Sequence, residues 1–104
     1  MLSEQVKEQI KERLLQKFDL DKIILFGSQA HGTAGEKSDV DILVIATLTE
    51  DRFIMMNNIS VWLLDLNYAF DVIILNEEEF ERDRKYPGTI ARYASKEEIV
   101  LYVR

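Results

Sequence analysis

Cysteine is absent from this chain, so disulfides, thiolate nucleophiles and cysteine-based zinc sites are excluded together. There is no apolar run of about 18 residues and no apolar N-terminal segment. The signals for membrane insertion and export are therefore missing, and the cytoplasm is the expected location. Basic residues are in deficit, with 13 Lys and Arg against 19 Asp and Glu, for a net charge of −6. Non-specific affinity for DNA or RNA rests on neutralising phosphates with Lys and Arg, so a polymeric nucleic acid is not the expected substrate. Repeats, linkers and low-complexity segments are lacking too. A length of 104 residues reads as one domain, 1–104, with a single hydrophobic core and no room for a separate substrate-binding domain.

Against this background stand Gly27-Ser28, then ten intervening residues, then Asp39-Val40-Asp41, and later Asp71 within Phe70-Asp71-Val72-Ile73-Ile74-Leu75. The carboxylates interrupt apolar, β-branched runs, where burial of an unpaired charge is costly and is normally tolerated when a cation neutralises it. Side chains alternate along a strand, so Asp39 and Asp41 share a face, roughly 7 Å apart in rise, and can converge on hard metal ions. Ligands that are all oxygen favour Mg²⁺ or Mn²⁺ over zinc. Gly27 breaks its strand and permits a tight turn.

The elements around these residues follow from periodicity. Val6, Ile10, Leu14 and Phe18 recur every four residues behind a candidate Ser3 cap, which predicts an amphipathic helix over 3–18 lying across a sheet. Ile23 to Phe26 is too uniformly apolar for a one-sided strand and reads as a central one. Ser28 to Gly35 reads as a turn, and a second strand runs from Ser38 and Asp39 through Ala46. A helix is predicted from Thr49 or Glu50 to about Asn67, with Met55, Ile59, Trp62 and Leu66 as its core stripe, Met56 and Leu63 beside it, and Ile54 and Val61 widening it. A third strand spans 69–75, an acidic helix 77–84, and a short helix 89–94 follows the Pro87-Gly88 break. A fourth strand closes the chain over 99–103. The expected fold is α/β, a mixed sheet of about four strands with helices packed mainly on one side.

The spacing of Gly27-Ser28 to Asp39-Val40-Asp41, with Asp71 as third carboxylate, resembles the signature of the DNA polymerase β-like nucleotidyltransferase superfamily. The short chain, the loop Ser28-Gln29-Ala30-His31-Gly32-Thr33-Ala34 and the tail Ile99-Val100-Leu101-Tyr102 are similar to the minimal nucleotidyltransferase group, which includes antitoxins of the MNT/HEPN type. The resemblance implies that Asp39 and Asp41 bridge two metal ions while Asp71 completes one ion's site and helps deprotonate the nucleophile. Gly27 and Ser28 would bind the phosphates of ATP. It further implies transfer of AMP to a tyrosine of a partner HEPN ribonuclease toxin. His31 stands where the group often has arginine, and Gly35 loosens the segment before Lys37; both polar side chains read as solvated loop residues outside the catalytic set.

Two rival functions use the same residues. In one, the acceptor is a small hydroxyl compound, which the short chain disfavours. In the other, the domain is a binding module, non-catalytic or holding the nucleotide as a structural ligand, that neutralises its partner by occlusion.

Overall fold

In a computed structural model of the chain, which describes residues 2–27, 39–97 and 99–104, Ser3 opens the first helix as its sequence position suggests. Its hydroxyl oxygen accepts a hydrogen bond from the Val6 amide at 3.2 Å, and α1 runs Glu4–Lys17 with Ile10 and Leu14 fully buried. Four strands, β1 (Lys22–Phe26), β2 (Val40–Ile45), β3 (Phe70–Leu75) and β4 (Ile99–Val103), form one sheet in the order β3-β2-β1-β4. β2 and β3 are parallel, while β1 runs antiparallel to both β2 and β4. The expected mixed four-stranded α/β sheet is therefore present, and β4 has the predicted bounds.

The helices do not pack mainly on one side. Alternate strand residues feed two cores. Ile23, Leu25, Ile42, Val44, Val72 and Ile74 join Ile10, Leu14 and Ile59 on one face of the sheet. Ile24, Phe26, Leu43 and Ile45 join Phe80, Ala91 and Ala94 on the other. α1 and α2 (Arg52–Trp62) thus cover the first face, and α3 (Glu77–Asp83) and α4 (Ile90–Glu97) cover the second. The apolar runs Ile23 to Phe26 in β1 and Ile42 to Ile45 in β2 have this cause, since a strand buried on both faces has no solvent side to make polar.

α2, the crossover between the parallel strands, is shorter at both ends than predicted. The Asp51 carboxylate accepts from the Phe53 and Ile54 amides, so the helix starts at Arg52. At its other end the Trp62 indole N–H donates to the Arg13 carbonyl at 2.6 Å, and the Arg13 guanidinium donates to the Trp62 carbonyl at 3.2 Å and pairs with Asp65. With that carbonyl engaged by α1, the chain tightens into a 3₁₀ turn at Leu64–Leu66, and Asn67 takes a left-handed φ of 62°. Ile59 and Leu63 are buried, and Met55, Met56 and Leu66 pack at the core margin, but Ile54 and Val61 do not widen this stripe; both are exposed.

The second face is closed by well-capped short helices. At α3 the Asn76 side chain accepts from the Glu79 amide at 2.7 Å and the Glu79 carboxylate accepts from the Asn76 amide at 2.9 Å. The Thr89 hydroxyl oxygen accepts the Arg92 amide at 3.1 Å, and α4 continues past Ala94 to Glu97.

Candidate active site

Three chain segments meet at one end of the sheet, where β1 stops and β2 and β3 begin. Phe26, Asp41 and Asp71 occupy one row of the ladder, Phe26 opposite Asp41 and Asp41 opposite Asp71. Two residues further along each strand lie Leu43 and Ile73, which belong to the α3/α4 core, so the strand period places Asp41 and Asp71 on that same face. Asp39 stands just before β2. Asp39 and Asp71 are exposed and Asp41 is half-buried. The charges are thus not sunk among the apolar neighbours that flank them in sequence. Those neighbours lie deeper along the strands, and the carboxylates sit at the strand entrances.

Burial, and then the like charges of Asp71 and Asp39, push the Asp41 carboxyl above the usual carboxylate range. Among the described residues no Lys or Arg forms an ion pair with any of the three. As placed, no three acidic or imidazole groups among the described residues close into an ion cage. The adjoining pair Asp41 and Asp71, with the charge of Asp39 acting on it, is nonetheless an all-oxygen donor set with no counter-charge among the described residues, and suits a hard divalent cation.

Gly27 is required here twice over. Its φ is +77°, and a Cβ at this position would fall on Asp41 Oδ2 and lie 3.1 Å from Asp41 Cγ. The bare backbone turn therefore lies directly under the carboxylate, and the lack of a side chain at Gly27 is what lets Asp41 sit there. Ser28, His31 and Lys37 lie outside the described residues.

Beside this end, on the same sheet face, runs an open groove lined by Pro87, Thr89, Ile90, Arg92, Tyr93 and Lys96. The Tyr93 ring meets the Phe26 ring edge-on, with centroids 5.8 Å apart. The sequence reading assigned nothing to α4. The only hint was the alternation of aromatic and basic residues in Tyr86, Arg92, Tyr93 and Lys96. A smaller depression of about 240 Å³, lined by Lys17, Leu20, Thr47, Glu50, Asn58 and Ile59, opens at the opposite end and touches none of the carboxylates.

Residues 8–104 match the family described as polymerase beta, nucleotidyltransferase. The chain belongs to that nucleotidyltransferase family. Two proteins of Methanocaldococcus jannaschii, both provisionally named protein adenylyltransferases, are similar to this nucleotidyltransferase domain. One is 35% identical over 83 residues, covering 80% of this chain and 79% of that protein. The other is 56% identical over 43 residues, 39% of this chain and only 29% of that protein's length. The nucleotidyltransferase fold also recurs in solved structures. A toxin–antitoxin structure with AMP-PNP superposes with a TM-score of 0.71 at 23% identity, covering 94% of this chain and 73% of the other. The tri-AMPylated HEPN toxin of Shewanella oneidensis in complex with its MNT antitoxin gives a TM-score of 0.66 at 22% identity, covering 98% and 74%.

Proposed function

We propose that this chain transfers AMP from ATP to a tyrosine hydroxyl of a HEPN ribonuclease toxin and thereby acts as its antitoxin. The observation that carries the reading is the row Phe26, Asp41, Asp71, with the Asp41 carboxylate lying over the Gly27 turn. The names of the two archaeal relatives and the AMPylated toxin in the Shewanella complex support the choice of reaction and acceptor. AMP-PNP in the other toxin–antitoxin structure supports ATP as donor.

The acceptor oxygen forms a bond to the α-phosphorus while the bond from that phosphorus to the β-bridging oxygen breaks, releasing pyrophosphate. Gly27 and Ser28 hold the terminal phosphates through backbone amides and the serine hydroxyl. Asp71 accepts the acceptor's proton, and its place on an edge strand leaves it open to a bulky substrate. Asp39, Asp41 and Asp71 would hold a divalent cation, Mg²⁺ or Mn²⁺, which when bound would neutralise charge on the attacking and departing oxygens. The domain 1–104 acts in the cytoplasm on a protein and a nucleotide, not on a nucleic acid. Among the described residues no helix is long and apolar enough to cross a membrane.

Intact masses of both chains after incubation with ATP and Mg²⁺ test the reading. AMP-sized increments on the toxin, lost with Asp41→Ala, are expected. An unmodified toxin held in a stable complex, still neutralised by the Asp41→Ala chain, would overturn it in favour of occlusion.

A further inference from the structure

Four tyrosines are present in the chain, and their placement is unequal. Tyr68 packs with Phe70 against the core under α1 and α2, on the sheet face away from the carboxylates. Tyr102 belongs to that same core and pairs with Ile23, toward the far end of β1. Tyr86 is exposed, in the turn after α3, with no ring contact to the strand ends. Tyr93 differs from all three. It lies on the face that Asp41 and Asp71 share, and its ring rests on Phe26, the residue directly across the ladder from Asp41. It remains 46% exposed. One ring contact and one strand pairing thus separate a solvent-accessible phenol from the carboxylate row.

The surroundings suit a tyrosine that acquires a phosphodiester. Arg92 is adjacent and also lines the groove, and its Nη1 donates to the Arg84 carbonyl at 3.4 Å. Lys96 lies three residues on, so it shares the Tyr93 side of α4. The groove that contains all three has no acidic residue among its described lining, in a chain of net charge −6.

We propose that Tyr93 is an acceptor of AMP from the chain's own active site, so that the enzyme modifies itself when no partner hydroxyl is presented. This rests on the transferase reading above. The Tyr93 phenolic oxygen bonds to the α-phosphorus of ATP, the α-phosphorus to β-bridging oxygen bond breaks with loss of pyrophosphate, and the phenolic proton passes to Asp71. The single negative charge of the resulting diester lies beside Arg92 and Lys96. The attached nucleotide then occupies the groove beside Phe26, on the sheet face that Asp41 and Asp71 share, so self-modified chain transfers AMP to its partner more slowly.

The test is the full chain alone with ATP and Mg²⁺, followed by intact mass and peptide mapping, with the same preparation assayed in parallel on a HEPN partner. The expected result is one AMP on the chain, mapped to Tyr93, at a fractional rate independent of protein concentration. Tyr93→Phe, which keeps the ring packed on Phe26, should lose this label completely while still modifying the partner. A preparation that modifies its partner but never itself, or a Tyr93→Phe chain that still gains AMP, overturns the proposal and leaves the transferase reading standing. A preparation that modifies neither overturns both.

Discussion

At the end of the sheet where β2 and β3 begin, three carboxylates gather with no described cation paired to them, whereas at the opposite end acids and bases are matched. There Asp19 and Asp21 both engage Arg104, and Glu79 engages Arg52 at 2.7 Å while Arg52 also donates to the Ile74 carbonyl at 3.1 Å. The same strands supply both ends, so the difference lies in which side chains follow the last ladder residue. Matched charges lock helix and strand termini together; unmatched ones hold a local negative potential that a cation and a phosphate substrate can relieve.

The comparison can be broken most severely at Asp41. Asp41→Ala should lower AMP transfer by roughly 10³-fold, measured as the initial rate of label incorporation on the partner. In metal-free buffer the same substitution should leave the thermal midpoint unchanged or raise it, since the repulsion by Asp71 and Asp39 disappears. Next in size is Gly27→Ala. A left-handed φ for alanine and displacement of the Asp41 carboxylate should together cost on the order of 2 kcal/mol in urea unfolding, with loss of transfer. Arg52→Ala removes a part-buried ion pair and strand tie at the matched end and should cost about 1–2 kcal/mol, with transfer retained in the folded fraction. Arg104→Ala should have the smallest effect on urea unfolding, because Arg104 and Asp19 are largely exposed, and still less at high salt.

The two ends should also answer pH in opposite senses. The raised pKa of Asp41 means that the unfolded chain loses this proton first as pH rises, so between the ordinary carboxylate value and the raised one stability falls with pH. Glu79 is held below its ordinary value by its hydrogen bond from Arg52 and then by the Asn76 amide, so its contribution is present above that ordinary value and is lost as pH falls. Melting curves of Asp41→Asn and Glu79→Gln across the acidic range should show the first losing the downward slope and the second losing the upward one. Unchanged slopes in both would remove the electrostatic basis of the comparison.

Most of the fold was legible because β-branched runs and helix caps act locally. Ile23 to Phe26, Phe70 to Leu75, Ile99 to Val103 and the Ser3 cap all required only neighbouring residues to be read. The end of α2 was not legible, since it depends on Arg13 reaching Trp62 and Asp65 from another helix. The one-sided packing expected for the helices was a misreading of information already in the chain: the apolar run Ile42 to Ile45 that follows Asp41 in β2 cannot have a bare face. At the site, the spacing of Gly27 to the aspartates was legible, but the reason Gly27 must be glycine was not, because Asp41 sits over it only once β1 and β2 are paired. Tyr93 was equally silent, being brought to Phe26 by tertiary packing alone.

The row of Phe26, Asp41 and Asp71 has a mechanical side as well. Its spacing is dictated by main-chain hydrogen bonds that repeat in fixed steps, so the separation between the two aspartates cannot drift in small increments. A slip of β3 by one residue would turn Asp71 toward α2 and present Val72 or Phe70 in its place. Variation in this protein should therefore leave the carboxylate pair either fully assembled or wholly dismantled, and tuning of its rate should come from the surrounding turns rather than from the strands that carry it.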